Sequence, residues 1–585
     1  MLNELVKYAE KNNISDTPGY KAKKGKWLVD LTADGKFIDV VEDDKLYKMC
    51  PHLAQFECAN GTRSHFLLDS LGVVVKYMPK NDKDIEKHEY FKKLLIEASE
   101  YEPCLSTINT FLSDTDGLDN LLKKLNTYKA KGDDKVTFRI DGNWVLDTTG
   151  WREWWNEHRR KLKSYKKNDS KSKLMLCLAE GELVEPATTH YKVIGLKQVG
   201  GRENGDSLIS FDKSAFTSYG LSQSLNAACS ERTATIYKNA FEELIKDAPR
   251  PVCDSLFLHW YKEALPIEDD PFSFIEYKEN FETEIGNAVD KVKKLFDSVQ
   301  KGEKPQFTNN LYYILQVSGA GGRIMVRDWL TGDFKKLVEN IRAWFEDLSI
   351  VEPYGKAIAG DFKFSAAMLR LISFRKSERD SFDRIKKELT PLEPIIYRSI
   401  IENNPLPDSV ASKALKYISS KQLNSEKSIE DNLDRVACAI LKAYIIRLRK
   451  SEGGNEIMKP ELNQDHPSPA YQAGRMLSVL ASIQQSALGD VNAGLVQRYY
   501  TSASTTPKLV IGRLIQMSQH HLDKLGKDSK GLEIWYERQL ADIMARINIE
   551  QVPTVLNLEG QTLFALGYYQ QKAHMQSGKP AEEKV

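Results

Sequence analysis

The chain has 585 residues, which is long enough for about four domain-sized cores. Its 41% hydrophobic and 28% charged residues are typical of a soluble protein, and no apolar run is long enough to cross a membrane. With a net charge of +1, any nucleic-acid site must come from the local distribution of charge. Seven scattered cysteines do not form a disulfide framework, and the first residues do not resemble a signal peptide, so we expect a cytoplasmic protein without membrane contact.

Two β-hairpins are predicted in the first 150 residues. Alternating apolar residues at 28–40 and at 136–146 each surround an Asp-Gly pair, at 34–35 and at 141–142. Asp-Gly favours the positive φ angles of a tight two-residue turn. We therefore expect antiparallel strand pairs at both places.

The segment 60–70 (NGTRSHFLLDS) is the first candidate for nucleic-acid contact. Arg63, Ser64 and His65 supply donors that suit base edges or minor-groove acceptors. The alternative is a loop that leads into a buried strand at 71–77. The residues leave both interpretations open.

A basic, tryptophan-rich segment follows at 151–173 (WREWWNEHRRKLKSYKKNDSKSK). It contains nine cationic and three acidic residues, so its local charge is strongly positive. Cations beside aromatic rings suit a nucleic-acid backbone with exposed bases. The alternative is a helix that its tryptophans anchor in the core, with the charges merely solvated. The cations expected to follow a phosphate backbone are Arg159, Arg160, Lys161, Lys163 and Lys166.

The most informative segment is the glycine-rich stretch at 198–211 (QVGGRENGDSLISF). Its three glycines permit positive φ and a close approach of the backbone to a ligand. Asp206 stands where a phosphate-binding P-loop requires lysine, which excludes that motif. We expect a loop anchored on a strand at 207–211, and a surface turn without a ligand is the alternative. The candidate contact residues are Gly200, Gly201, Arg202, Asn204 and Ser207.

A third hairpin and an amphipathic helix are predicted next. Strands at 312–317 and 323–329 flank a glycine-rich turn. Asp333 is placed to cap a helix whose apolar residues recur at helical spacing up to Leu348. After Pro353 the strand patterns fade, and helical patterns alternate with connections that contain Pro or Gly.

The C-terminal region is predicted to be a helical bundle. Ser468-Pro469 and Thr506-Pro507 each combine an N-cap residue with proline at the first helical position. The fold class is therefore α+β: a mixed α/β N-terminal domain with several antiparallel hairpins, then an all-α region that ends in the bundle. The predicted domains are 1–352, 353–457 and 458–585. The predicted C-terminal helices lie at about 469–487, 491–501, 507–525, 531–549 and 559–574.

No catalytic constellation is recognised in the chain. It has no G-x-S-x-G elbow, no H-E-x-x-H helix and no Walker lysine. Cys50, His52, Cys58 and His65 have a spacing that fits no common zinc module. We therefore predict neither enzymatic activity nor a metal or other cofactor.

The glycine-rich stretch is followed by AFTSYG (215–220), QSLNA (223–227) and SER (230–232), and further segments accompany it along the chain. They are WLVDLTADGKFIDVV (27–41), GRIMVRDW (322–329), NIRAWFEDL (340–348), the stretch 470–525 from AYQAGRMLSVL through RYYTSASTTP to RLIQMSQHHLDKL, and FALGYYQ (564–570). In this order they resemble the large subunit of the subtype I-C CRISPR Cascade, over nearly the whole chain. The 60–70 segment departs from the pattern of that family at Ser64-His65 and at Ser70.

The resemblance implies a non-catalytic subunit of an RNA-guided antiviral complex. Such a subunit recognises a protospacer-adjacent motif in double-stranded DNA, helps to open the duplex into an R-loop and recruits a helicase-nuclease. The implied partners are the CRISPR guide RNA, the target DNA, the backbone and guide-processing Cascade subunits, and the helicase-nuclease.

The resemblance also implies that the last segment is similar to the separate small subunit of other Cascades. We expect copies of it to be made from an internal start, for which Met458 is suitably placed before the first bundle helix. These copies would line the displaced DNA strand. The cations expected to form their backbone track are Arg475, Arg498, Lys508 and Arg513.

Two other classes of function remain open from the residues alone. One is a metal-dependent nuclease or hydrolase that assembles its ligands from scattered Asp, Glu and His residues, and divalent-dependent cleavage by the isolated chain would identify it. The other is an interaction scaffold that binds no nucleic acid, which the near-neutral charge favours. Salt-dependent DNA binding would exclude the scaffold.

Overall fold

The fold was analysed in a computed structural model of the chain. It describes residues 1–577 except 15–16, 44, 54–56, 59–60, 165–173, 250, 252–253, 276–287, 302–306, 308, 356, 361, 363, 376–380, 391, 425–432, 455–457, 490–493 and 548. The chain forms two compact units. Unit 1 comprises Met1–Val193 and Ser207–Glu242, and unit 2 comprises Ile194–Asp206 and Glu243–Val585.

Unit 1 is a mixed α/β structure. Its helices are α1 (Leu2–Lys11), α2 (Leu71–Val74), α3 (Asp82–Ser99), α4 (Leu105–Phe111), α5 (Thr115–Thr127) and α6 (Gly150–Ser164). Its strands are β1 (Tyr20–Lys24), β2 (Trp27–Leu31), β3 (Phe37–Glu42), β4 (Tyr47–Pro51), β5 (Asp69–Ser70), β6 (Lys135–Ile140), β7 (Asn143–Trp144), β8 (Met175–Leu176), β9 (Leu183–Val184) and β10 (Lys192–Val193). Strand β11 (Asp206–Ser207) and helix α7 (Glu231–Asp247) each run across a boundary between the units in sequence.

The main sheet of unit 1 has the strand order β3-β2-β6-β5, with β7 paired to β6. Strands β2 and β3 are antiparallel, as are β6 and β7, so both hairpins predicted from Asp-Gly pairs are confirmed. Asp141 and Gly142 have φ angles of 46° and 81°, the conformation for which this dipeptide is favoured. Strands β2 and β6 pair in parallel and place Trp27 opposite Val136.

The core of unit 1 is formed by residues of this sheet, of its helices and of α6. The rings of Trp151, Trp154 and Trp155 are buried, and all three contact the ring of Phe66. The alternative interpretation of this segment, a helix that its tryptophans anchor in the core, is therefore correct for these three rings. They are core residues and do not face nucleic-acid bases.

Unit 2 contains a three-stranded meander, two short paired strands and many helices. Its strands are β12 (Leu256–Tyr261), β13 (Leu311–Ala320), β14 (Arg323–Asp333), β15 (Ile350–Val351) and β16 (Ile358–Ala359). Its helices are α8 (Ala288–Lys301), α9 (Phe334–Leu348), α10 (Phe364–Leu369), α11 (Ser381–Leu389), α12 (Leu392–Glu402), α13 (Asp408–Asn424), α14 (Arg435–Ser451), α15 (Pro469–Leu488), α16 (Leu495–Thr505), α17 (Pro507–Asp528), α18 (Lys530–Arg546) and α19 (Leu558–Gln576). The predicted α+β class is confirmed.

The third predicted hairpin is present and longer than its pattern indicated. Strand β13 pairs antiparallel with β12 on one side and β14 on the other. Helix α9 follows β14 at once, and Asp333 accepts a hydrogen bond from the Lys336 backbone N–H at 3.1 Å. The predicted cap of this helix is therefore confirmed.

The C-terminal helices begin close to the predicted positions, and Ser468 and Thr506 stand at the predicted N-cap positions. Pro469 and Pro507 stand at the starts of α15 and α17, as expected. The hydroxyls of Ser468 and Thr506 make no capping hydrogen bond, and that of Thr506 bonds to the Ser502 carbonyl instead. Proline at the first helical position sets φ without help from a cap.

One continuous hydrophobic core joins the meander of unit 2 to its helices. It runs from Phe257 on β12 through α9 and α14 to Ala573 on α19. The described helices α10–α14 of segment 353–457 and α15–α19 of segment 458–585 both contribute to this core. A hydrophobic core is the physical basis of a domain, and here one core serves both segments.

Two local strand predictions are wrong. Residues 71–74 form the one-turn helix α2, although their continuous apolar run also suits a buried strand. After Ser207 the chain leaves β11, so 208–211 is irregular. Short apolar runs do not distinguish a strand from a buried turn, and tertiary packing decides between them.

Among the described residues, no helix combines the length and apolar character needed to span a bilayer.

Candidate nucleic-acid interface

The glycine-rich loop of unit 2 is a tightly hydrogen-bonded turn. The N–H of Gly201 donates to the Leu196 carbonyl at 2.8 Å, and that of Gly205 donates to the Arg202 carbonyl at 3.1 Å. Gly200 and Gly205 have φ angles of 86° and 87°, which side-chain-bearing residues rarely adopt. The expected positive φ angles are therefore confirmed at these two glycines.

The glycines of the loop pack against the turn between β13 and β14. A Cβ on Gly319 would lie only 2.2 Å from the Cα and the N of Gly201, and one on Gly200 would lie 2.7 Å from the Gly319 carbonyl oxygen. The two backbones thus meet where neither carries a side chain. We call residues 196–206 together with 319–327 the glycine platform.

This contact corrects the role that the sequence suggested for Gly200 and Gly201. Their missing side chains bring the loop close to another part of the protein, and the space beside them is filled. Gly201 is also close to Leu196 and Asp206, because a Cβ there would lie 2.7 Å and 2.4 Å from their atoms. Both glycines therefore permit the close packing that gives the platform its shape.

Asp206 stabilises the conformation of the loop from its buried side. Its carboxylate is fully buried and accepts a hydrogen bond from the Arg202 backbone N–H at 3.0 Å. Its other oxygen, Oδ1, has no hydrogen-bond partner among the described residues. A buried carboxylate cannot face a bound phosphate, so Asp206 fixes the loop conformation.

The platform presents three arginines to solvent. The Arg202 guanidinium lies over the turn, 3.1 Å from the point where a Gly322 side chain would begin. Arg323 and Arg327 are exposed on β14, and Arg327 donates to the Ser318 hydroxyl at 2.9 Å. These side chains form a cationic surface suited to phosphate and to guanine edges.

Arg323 and Arg327 were missed as site residues when the sequence was considered alone. Arg327 occupies an irregularity in the β13–β14 register, where Gln316 pairs with Asp328 and Val317 already pairs with Val326. A β-bulge redirects the side chain that it contains. The signal in the sequence was the arginine pair in GRIMVRDW directly after the glycine turn.

Asn204 and Ser207 are the other two predicted contact residues of this segment. Asn204 is exposed, and within the described chain neither it nor the Arg202 guanidinium has a hydrogen-bond partner. Ser207 is half-buried at the end of β11. Arg202 and Asn204 are thus the predicted contact residues whose polar groups remain available.

The second group of predicted contact residues belongs to unit 1 and is largely engaged there. Arg63 is half-buried, donates to the Glu57 carbonyl at 2.8 Å and lies over the ring of Tyr90. Ser64 is 1% exposed, so its hydroxyl cannot reach a base edge in this conformation. Ser64 is therefore corrected to an interior residue.

His65 is also held inside unit 1. Its ring stacks on that of His52 at 4.4 Å, and its Nδ1 accepts a hydrogen bond from the Leu53 N–H at 3.2 Å. Burial lowers the pKa of His65 well below its usual value, so the ring is neutral. In the described parts of the chain, no three His, Cys, Asp or Glu residues come together as possible metal ligands.

Arg159 was expected to follow a phosphate backbone, and the structure corrects this. It is 4% exposed, and its guanidinium lies 2.9 Å from carboxylate oxygens of Glu57 and Glu231. Burial opposes the charge, but the two carboxylates outweigh it and raise the pKa of Arg159. Removing this side chain would take a cationic partner away from the buried Glu57 carboxylate.

Of the other four cations predicted to follow a phosphate backbone here, two are exposed and the side chains of two lie outside the described residues. Arg160 and Lys161 lie exposed near the end of α6, and Arg160 pairs with Glu157. Lys166 and the side chain of Lys163 lie outside the described residues.

The double substitution Arg160→Glu and Lys161→Glu tests the exposed pair. We expect weaker binding to every DNA sequence alike and a shallower salt dependence, because backbone contacts carry no sequence information. Titrations at several salt concentrations, with two unrelated duplexes, measure both effects. A changed sequence preference with an unchanged salt slope would contradict a backbone role, and an unchanged melting temperature serves as the folding control.

The predicted cations of the C-terminal bundle also differ in exposure. Arg475 is fully buried on α15, where it donates to Gln571, Gln472 and the Gln464 carbonyl, so it is corrected to a structural residue. The exposed members are Arg498 on α16 and Lys508 and Arg513 on α17.

The complete chain was compared with known proteins. It matches the CRISPR-associated protein family Cas_Csd1 over residues 5–576. Both compact units and nearly every element described above lie within this match. The chain therefore belongs to this family of Cascade-type CRISPR-associated proteins. No curated protein matches the chain.

Proposed function

We propose that this protein is the large subunit of a subtype I-C Cascade and acts without catalysis of its own. In this role it recognises the motif that flanks the target in double-stranded DNA, helps to open the duplex and recruits the helicase-nuclease. Base pairing with the guide RNA then reads the target itself. The family membership supports a place in a CRISPR effector complex beside other Cas subunits.

The cationic surface of the glycine platform is the observation that carries the proposal. Arg202 from the loop and Arg323 and Arg327 from β14 are exposed, and the loop backbone at Gly200 and Gly201 packs closely against that of Gly319. Arginine is the residue that most often reads guanine and pairs with phosphate, and Asn204 adds an amide suited to adenine. A rigid support fixes the register of such contacts on a duplex.

The proposal extends to the C-terminal segment. Copies that begin at Met458 would contain α15 to α19 and carry Arg498, Lys508 and Arg513 as cations for the displaced strand. In the full chain Met458 is buried, and α19 holds the adjoining segment through hydrogen bonds from Gln570 to the carbonyls of Lys459 and Pro460. A segment that starts there retains these bonds.

Alanine substitutions at Arg202 and at Asn204 test the flanking-motif contact. Each is expected to weaken binding of the assembled, guide-loaded complex to its target duplex by about 1–3 kcal/mol, because each removes a base or phosphate contact. Binding is measured on duplexes that carry either the preferred flanking motif or a scrambled one. A base contact reduces the discrimination between the two, whereas a phosphate contact weakens both equally.

Lys336→Ala provides the matched control. This lysine is exposed on α9 and pairs with Glu339 one turn further along the helix, so the variant is expected to bind like the wild type. Unchanged affinity and motif preference in both the Arg202 and the Asn204 variants would refute the platform as the reading site. Cleavage of DNA by the isolated chain in the presence of a divalent metal would favour a nuclease instead.

A further inference from the structure

A single tyrosine stands out on an exposed loop of unit 1. Tyr219 is 99% exposed, the highest value among the large hydrophobic residues that the structure describes. The surrounding segment 212–223 is exposed over most of its length. A ring this exposed buries almost none of its surface within the chain, so its full face is accessible to a partner.

The backbone at this tyrosine is held in an unusual conformation. Tyr219 has φ 58° and ψ 22°, in the left-handed region that residues with a side chain rarely enter. Gly220 and Gln223 also have positive φ angles, of 69° and 47°. Such strain persists only where surrounding contacts enforce it, and it concentrates at ligand-binding positions.

Asn226 supplies the enforcing contacts. Its side-chain amide donates to the Phe216 carbonyl at 2.8 Å and to the Gln223 carbonyl at 3.1 Å. One amide thus joins the two arms of the loop below its tip. The Phe216 ring packs edge-on against Phe211 at 5.4 Å and anchors the first arm. Tyr219 is consequently presented at the apex of a clamped loop.

We propose that Tyr219 stacks on an unpaired nucleobase of the target DNA, at the end of the duplex that the protein opens. The inference rests on the function proposed above and adds a residue to it. Any base offers a flat face for stacking on an aromatic ring, so the contact does not depend on sequence.

The chemistry around the ring favours nucleic acid over a protein partner. Protein hot spots lie within a shell of other contacts that excludes water. The exposed side chains of the segment that carries Tyr219 include Lys213, Ser214 and Thr217, together with the acidic Asp212 and the partly exposed Phe216. A cation and hydroxyls suit the phosphate and sugar groups next to a stacked base.

The test uses the assembled, guide-loaded complex and target duplexes with 2-aminopurine placed in turn at the positions beside the flanking motif. In the wild type, stacking on Tyr219 is expected to change the fluorescence at one position on binding. Tyr219→Gly should remove that change and weaken binding about 5- to 100-fold. Tyr219→Trp, which keeps a stacking ring, should preserve both.

The glycine variant is chosen because the left-handed backbone suits glycine. Its melting temperature should equal or exceed that of the wild type, so lost binding cannot result from unfolding. Tyr101→Ala is the matched control, because Tyr101 is also more than half exposed and lies on another surface segment of unit 1, after α3.

The outcomes separate this inference from the proposed function. Wild-type and Tyr219→Gly complexes with equal affinity and equal 2-aminopurine signals would overturn the stacking role and leave the flanking-motif site intact. If Tyr219→Gly fails to assemble with the other Cas subunits while its DNA contacts are unchanged, the ring makes a protein contact. This result would also overturn the stacking role. A wild-type complex that binds no duplex would overturn both.

Discussion

Replacing Gly319 with alanine is expected to detach the glycine-rich loop from the β13–β14 turn and thereby weaken DNA binding. The added Cβ would lie 2.2 Å from two backbone atoms of Gly201, and backbone cannot rotate out of the way as a side chain can. Overpacking of this kind costs about 1–3 kcal/mol of folding free energy. Moving the loop also displaces Arg202 from the other platform arginines. Target-duplex affinity is expected to fall at least as far as in Arg202→Ala.

Gly321→Ala is the matched control in the same turn. Gly321 has φ 60°, and nothing lies within 4 Å of the position of its Cβ, so alanine there meets only backbone strain, which costs about 1–2 kcal/mol. Urea unfolding and duplex titrations are carried out on both variants. If Gly319→Ala binds as well as Gly321→Ala, close contact between the two glycine segments does not organise the site.

A second large effect is expected from Gly474→Val in the C-terminal helices. Helices α15 and α19 cross with glycines at their contact: a Cβ on Gly474 would lie 2.0 Å from the Phe564 carbonyl oxygen, and one on Gly567 would lie 2.1 Å from that of Tyr471. Glycine therefore permits this spacing between the helices. Valine would force them apart and open the core of unit 2, at a cost of about 3 kcal/mol or more.

Gly512→Ala on α17 separates this packing effect from helix propensity. No atom lies within 4 Å of the Cβ position at Gly512, so alanine should stabilise the helix by up to about 1 kcal/mol. Both variants are compared with the wild type by urea denaturation of the full chain. A Gly474→Val protein with wild-type stability would show that the two helices can separate at little cost.

The hairpins and capped helices could be predicted because their causes are local. The turns at Asp34-Gly35 and Asp141-Gly142 follow from the φ preferences of adjacent residues, and the cap of α9 depends on Asp333 and an N–H three residues away. Proline at the starts of α15 and α17 acts in the same way. These signals lie within a few residues of the structure that they predict.

The candidate site was predicted only in part, because exposure depends on distant residues. Arg159 looked like its neighbour Arg160, yet Glu57, 102 positions earlier, draws it into the interior. Arg475 is buried by contacts that include Gln571, 96 positions later. A run of positive charge in the sequence does not reveal which cations have internal carboxylate or amide partners.

The sequence by itself determined the α+β class, the positions of the main hairpins and bundle helices, and the glycine-rich loop with Arg202 and Asn204 as candidate contact residues. Only the tertiary structure decided that Gly200 and Gly201 pack against Gly319, that Arg327 lies exposed at a bulge of β14, and that one core joins both C-terminal segments. Turn and helix preferences act between neighbours in the chain. Close packing and burial of charge act between residues that meet only after folding.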